Sequence, residues 1–283
     1  MNQFPIEKMC KVLKVSRSSY YDWLSRVPSD RAIERQLLTE KIVEIHRCSK
    51  GRYGSPKITK ELNDQGIRTS RPRVARIMKN EGIKSITHKR FRVNTTDSNH
   101  KHAIADNHLN RDFSAQQAGR KWVSDITYIF TAVGWLYLTI IQDLYDRKIV
   151  GWSLSDNMTA QDTVVAAWKM AITNRPLTGQ QLIFHSDRGV QYASDEFRKL
   201  LARKPVLQSM SRKGNCWDNA VAENFFKILK SEQVNHQQYL SLLQAKNDVF
   251  EFIEVWYNRK RKHAYLGYMT PEQYGKINYS KCA

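Results

Sequence analysis

The stretch WVSDITYIFTAVGWLYLTIIQDLYDRKIVGWSLSD, residues 122–156, decides the architecture of this chain. WVSDITYIF is dense in β-branched and aromatic residues and reads as a strand. TAVG supplies a turn, WLYLTIIQD returns as a second strand, and KIVGWSLSD makes a third. Strands this close together, joined by short turns, form an antiparallel meander. One residue stands out: Asp125 lies inside the first strand, where a charge is expensive unless it is hydrogen-bonded or metal-bound.

Downstream, a helix is expected from Thr159 to about Asn174, with Val164, Ala167, Trp168 and Ala171 on one face. LIFHSD, residues 182–187, is a short apolar run suited to a strand covered on both sides. Helices follow at about Ser194–Arg203, Asn219–Gln233 and Leu240–Asn258, with PVLQSM (205–210) as a strand between the first two. Three antiparallel strands, then helix, strand, helix, strand and further helices is the order of a ribonuclease-H-like α/β fold. Fold order alone does not settle function.

Upstream the pattern is all-helical. Ile6, Met9, Cys10 and Leu13 share helical spacing, and Ser16 is placed to cap a second helix carrying Tyr20 and Trp23. A long helix is expected from about Ser29 to Arg47. In GSPKITKELNDQGIRTSRPRVARIMKNEGI (54–83), Ser55 is read as the cap with Pro56 opening the helix. Gly66 sits in the turn, and a second helix through Val74, Ile77 and Met78 ends near Gly82. Arg68, Arg71, Arg73, Arg76 and Lys79 stud this unit. Both pairs resemble helix-turn-helix units, whose second helix enters the major groove of DNA; the alternative is a helical pair with a solvated basic face. Residues 84–121 lack periodicity. The expected organisation is therefore a helical DNA-binding region over 1–83, a linker over 84–118, a catalytic core over 119–235, and a C-terminal helix and basic tail over 236–283.

Charge supports a polyanionic partner: Lys and Arg number 46 against 27 Asp and Glu, a net +19 over 283 residues. The excess is +12 over residues 1–115, +1 over 116–200 and +6 over 201–283, so the basic charge sits on the flanks. No apolar run approaches the ~20 residues of a membrane-spanning helix, and the first residues lack the order of a signal peptide; a cytoplasmic protein is expected. Cys10, Cys48, Cys216 and Cys282 form no CxxC pair, which indicates neither a zinc site nor a disulfide framework. His100, His102 and His108 cluster in a polar stretch without cysteines and read as solvated loop.

Three acids make the chemical case. Asp125 is in the first strand. Asp187 follows the run LIF and precedes Gly189. Glu223 lies one turn into a helix whose buried face is Ala222, Phe225, Phe226 and Leu229. Singly, they could be a hydrogen-bonded strand residue, a turn residue and a surface acid. Together they supply three carboxylates on rigid elements, as two hard cations about 3.5–4 Å apart require for in-line displacement at a phosphodiester. Lys230, two helical turns beyond Glu223, returns to the same side and can hold the DNA backbone or form a salt bridge.

WVSDITYI, HSDRGVQY and DNAVAENFFKILKSE, with residues 188–222 between the last two acids, closely resemble the transposases of the insertion-sequence family numbered three. The likeness is to the OrfB product, with its retroviral-integrase-like core. It extends to YYDWLSR and RYGSPKITKELN upstream and YNRKRKHAYLGYMTPEQY downstream. The resemblance implies a Mg²⁺-dependent transposase, with Mn²⁺ able to substitute and two ions held by Asp125, Asp187 and Glu223 when DNA is bound. It would cleave transposon ends and join the 3′-hydroxyl to another phosphodiester. It also implies double-stranded DNA (ends and target) as partner, a homo-oligomer on DNA, action at the bacterial nucleoid, and cooperation with an OrfA product or an OrfA–OrfB fusion. No apolar heptad of the kind OrfA carries occurs in this sequence. His185, Arg188, Gln191 and Tyr192 fit either phosphate positioning or packing, and Asn219 and Asn224 either helix capping or DNA contact. In the tail, Arg259, Arg261, Lys262 and His263, with Asn258, read as a DNA-backbone contact beside Trp256 and Tyr257. A DNA-binding regulator and a nuclease that cuts without joining are the alternative readings.

Overall fold

A computed structural model describes residues 5–86, 103–177 and 179–279. The chain divides into two compact units at Ser85/Ile86. In the first, α1 (Ile6–Val12) and α2 (Arg17–Leu24) form a short pair, and Ser16 caps α2 by accepting from the Ser19 N–H at 3.0 Å. The long α3 (Asp30–Cys48) is capped by Ser29. It packs with α4 (Ser55–Asp64) and α5 (Arg71–Asn80) through buried Leu38, Ile42, Ile58, Leu62, Val74 and Ile77. Asn63 Oδ1 accepts from the Thr69 N–H at 3.0 Å and closes the turn around Gly66, whose φ of 83° suits glycine. Ser55 is not the cap: the helix starts one residue earlier than expected, with Gly54 extended at the N-cap and Pro56 inside the first turn.

The second unit holds a five-stranded sheet in the order β3-β2-β1-β4-β5. Its strands are β1 (Lys121–Thr131), β2 (Gly134–Asp143), β3 (Ile149–Ser155), β4 (Leu182–Ser186) and β5 (Val206–Met210). β1, β2 and β3 are the antiparallel meander, while β4 and β5 run parallel to β1. This is a ribonuclease-H-like sheet. On one face lie α6 (Ala166–Asn174), α7 (Val190–Ala193) and α8 (Asp195–Ala202), around Trp122, Trp168, Phe184, Tyr192 and Phe197. α6 comes so close to β3 that a Cβ on Gly151 would lie 2.3 Å from the Ala167 carbonyl oxygen. α9 (Ala220–Glu232) packs on β1, and α10 (Leu242–Phe250) and α11 (Pro271–Tyr279) complete the C-terminal region.

Three expected helices differ in detail. The one from Thr159 opens as a π-helical turn, Gln161–Val165, and becomes α-helical only at Ala166. The one at Asn219 begins as a 3₁₀ turn, Cys216–Asn219. The C-terminal one widens after Phe250 into a π-helical stretch, Glu251–Lys260. Residues 103–118, expected to be part of a linker, are bound to the core: Ser209 Oγ accepts from the His108 and Leu109 N–H groups, and Leu109 is buried. Its polarity serves hydrogen bonding to the fold rather than solvation. His108 is exposed, while His100 and His102 lie outside the described residues. No helix among the described residues is long and apolar enough to cross a membrane.

Candidate active site

The parallel pairing of β1 with β4 brings two distant acids together. Its last rung joins Val123 to His185. Paired residues share a face and side chains alternate, so two residues further on Asp125 and Asp187 emerge side by side, just past the end of β4. Asp125 Oδ1 accepts from the Ile126 N–H at 2.9 Å, and Asp187 Oδ1 from the Gly189 N–H at 2.9 Å, which fixes the turn after the strand. Glu223 arrives on α9, oriented by the burial of Ala222, Phe225, Phe226 and Leu229. Asn219 Nδ2 donates to the Ser124 carbonyl at 3.0 Å, tying the start of α9 to the residue preceding Asp125. Ser124 Oγ donates to the Ile140 carbonyl and pairs with the buried Tyr192 hydroxyl at 2.7 Å, so α7 is pinned to the same strand.

The acids feel one another. Burial, then the charge of Asp187, raises the Asp125 carboxyl well above the usual carboxylate range; Glu223 adds to this, while the Ile126 N–H and Lys230 oppose it. Glu223 is raised by burial and then by Asp187. Burial lowers the Lys230 pKa, against the pull of Asp125. Carboxylates that raise one another's proton affinity are relieved by protons or by cations. Among the described residues no group of three or more His, Cys, Asp or Glu side chains is gathered closely enough to hold a metal ion as it stands. The hard oxygen donors of the three acids are of the kind that divalent cations of the Mg²⁺ type take.

With this geometry in hand, the likeness to known proteins is specific. Residues 115–216 and 223–278 match integrase core domain descriptions, and residues 32–91 match an HTH-like domain. The insertion element IS600 31 kDa protein of Shigella sonnei is 39% identical over 263 residues, covering 93% of this chain and 96% of its own length. Transposase InsF for insertion sequence IS3A of Escherichia coli (strain K12) is 37% identical over 278 residues, covering 98% and 96%. The chain belongs to the IS3 transposase family. The family's activity is DNA transposition and recombination, carried out by a polynucleotidyl transferase. Among solved structures, the HTLV-2 integrase catalytic core domain in complex with magnesium is a looser likeness, with a TM-score of 0.42 and 16% identity over 56% of this chain and 98% of that one.

Other residues of the transposase sort differently from their sequence reading. His185 is buried, with Nδ1 2.8 Å from Ser209 Oγ and Nε2 3.2 Å from Ser211 Oγ; burial lowers its pKa to about 4, so it is a neutral packing group under the Asp187 turn. Arg188 Nε donates to the Ser211 carbonyl at 2.7 Å, and Gln191 Nε2 to the Met158 carbonyl at 3.1 Å. Arg261 and His263, expected at a DNA-facing surface, are buried. The Arg261 guanidinium is bound to buried Glu232, and the His263 ring packs edge-on against Tyr257 at 4.7 Å. Charge count alone reads such residues as surface. Asn258 is likewise internal, bonded to both backbone groups of Ile149. Arg259 is exposed, 3.7 Å from Glu272. On α5, Arg71 and Arg76 are exposed, whereas Arg73 Nη2 lies 2.9 Å from Glu34 of α3. Sequence reasoning passed over Asp218. It is buried just before α9 and gathers Arg212, Arg111 and Asn107; Arg212 first, then Arg111, hold its carboxyl far below the usual range.

Proposed function

We propose that Asp125, Asp187 and Glu223 are the catalytic acids of this transposase and would hold two Mg²⁺ ions, or Mn²⁺ in their place. What supports this reading is the delivery of three carboxylates by β1, the end of β4 and α9, with the charge of Asp187 acting on both Asp125 and Glu223. Bound divalent ions would supply charge stabilisation to both the attacking and the leaving oxygen of an in-line displacement. The chain's own groups do the rest. The Asp187 turn and the Asn219 tether keep the carboxylates in place before DNA arrives. Lys230, beside Asp125, offers a cation to the DNA backbone. In the first step a water oxygen bonds to phosphorus at the transposon end as the P–O3′ bond breaks, leaving a 3′-hydroxyl. In the second that hydroxyl attacks another phosphodiester and expels its 3′-oxygen. End recognition falls to the helical unit, with Arg71 and Arg76 on α5. Pairing of two ends falls to a homo-oligomer on DNA or to fusion with an OrfA product.

The experiment uses the chain alone and fused to its OrfA, with duplexes carrying an element end, in Mg²⁺, Mn²⁺ or EDTA. Nicking and joining are expected only with metal. Asp187→Asn should lose both steps while binding as the parent does. Cleavage in EDTA, or joining by the variant, would overturn the assignment. Affinity should fall steeply with salt, since each phosphate contact releases counterions.

A further inference from the structure

Beyond its last rung with β4, the β1–β2 hairpin has no strand neighbour on that side among the described residues. Its far half carries aromatic residues on one face, cross-paired as Tyr128 with Tyr137 and Phe130 with Trp135. The rings form a continuous ladder: Phe130 to Trp135 at 5.0 Å, Trp135 to Tyr128 at 6.4 Å, Tyr128 to Tyr137 at 5.5 Å. Core aromatics would be sealed, but Phe130 is 64% exposed, Trp135 53% and Tyr128 41%. The ladder starts at the rim of the candidate active site. The Tyr128 hydroxyl lies 3.9 Å from Met158 Sδ, the Met158 carbonyl accepts from Gln191, and Asp187 and Asp125 both act on the Tyr128 hydroxyl.

We propose that this ladder is a stacking platform for unpaired DNA bases two to three nucleotides from the phosphodiester being cut. The inference rests on the acids being the catalytic site. Tyr128 is three residues beyond Asp125 on the opposite face of β1, about 10 Å along the strand, a distance that two to three unpaired nucleotides can span. Aromatic rings accept any base through its π-face, so such a platform needs no sequence match. A second copy of the chain is a poorer occupant. The three exposed rings offer on the order of 300 Å², under half of the ~800 Å² that each partner buries in a stable interface.

The test compares two oligonucleotides in metal-free buffer: a blunt duplex, and the same duplex ending in three unpaired nucleotides with 2-aminopurine at the second. The full chain should bind the unpaired end more tightly by about five- to hundredfold and quench the 2-aminopurine. Trp135→Ala and Phe130→Ala, singly and together, should abolish that preference and the quenching while leaving blunt-duplex affinity within about twofold. Trp135→Phe should keep most of both. Because the rings are exposed, the single variants test the idea even if the double one fails to fold. A preference that survives all the alanine variants overturns the platform. So does a Trp135→Ala chain that becomes monomeric from a dimer with its preference intact, which would give the face to a second copy. Parent protein that binds both oligonucleotides equally overturns the platform alone; parent that binds neither overturns the DNA reading with it.

Discussion

Replacing Arg261 by alanine separates a DNA-facing arginine from one spent inside the fold. Its Nη2 donates to Glu232 Oε1 at 2.8 Å and its Nε to both carboxylate oxygens at 3.1 Å, while Trp256 Nε1 donates to Oε2 at 3.0 Å. The two side chains keep only 10% and 3% of their exposure, so water cannot take over. Removing one partner of a buried pair costs about 3–5 kcal/mol, because the other charge is stranded. Protonation caps the loss: keeping a glutamic acid neutral at pH 7, about 2.7 units above an ordinary pKa of ~4.3, costs about 4 kcal/mol. At about 2–4 °C per kcal/mol for a domain of this size, the Tm of Arg261→Ala should fall by roughly 10 °C at pH 7. It should fall much less at pH 5, where protonation costs only about 1 kcal/mol. Circular dichroism melts of the full chain at both pH values read this directly. Arg261→Met combined with Glu232→Gln should recover most of the loss, since no charge is left to strand. An unchanged Tm with weakened DNA binding would refute the inward assignment, and a pH-independent loss would refute the stranded charge.

Three further outcomes are expected. Asn219→Ala removes one hydrogen bond, worth about 1 kcal/mol of stability, yet it should slow nicking ten- to hundredfold by loosening the start of α9; unchanged single-turnover rates at equal DNA affinity would detach Asn219 from positioning Glu223. Gly151→Ala drives a Cβ into the Ala167 carbonyl and against the Ala171 Cβ, built at 2.7 Å, so β3 and α6 must part at a cost of about 1–3 kcal/mol; a calorimetric Tm equal to the parent's would contradict that close approach. His185 is neutral in the fold down to a pKa of about 4, whereas the unfolded chain takes up a proton near pH 6.5. The unfolded state therefore binds more protons between those values, and stability falls as pH drops through the window, by on the order of 3 kcal/mol. In His185→Gln that part of the acid dependence should flatten, and identical pH profiles would argue against a buried neutral imidazole.

The meander was legible from sequence because alternating β-branched and aromatic residues have no other good use, and turns such as Ala132–Val133 leave little choice of partner. The acids were legible as exceptions to that pattern: Asp125 inside a strand, Asp187 past an apolar run. Their adjacency was not. It depends on β4 pairing with β1 in one register, and register between distant parallel strands leaves no local mark. Arg261 misled for a related reason, since a basic cluster looks the same whether it faces phosphate or a buried carboxylate on a helix 29 residues earlier. The π-helical stretches at Gln161–Val165 and Glu251–Lys260 kept a helical pattern of apolar residues, so only their pitch escaped notice. Residues 103–118 read as linker because the hydrogen bonds that tie Asn107, His108, Leu109 and Arg111 to the core are to partners about a hundred residues away.

Glu223 and Glu232 ride the same helix with opposite fates, one turned toward the candidate site and the other locked to the C-terminal segment. Phe225 adds a second anchor between them, packing edge-on against Tyr257 at 4.8 Å. The segment after residue 235 thus works as a splint, bracing the helix that carries the third carboxylate. A fragment ended at that point would keep all three acids and lose the brace that aims one of them. The smallest piece of this chain that can be expected to act is therefore longer than the piece that contains the three candidate acids.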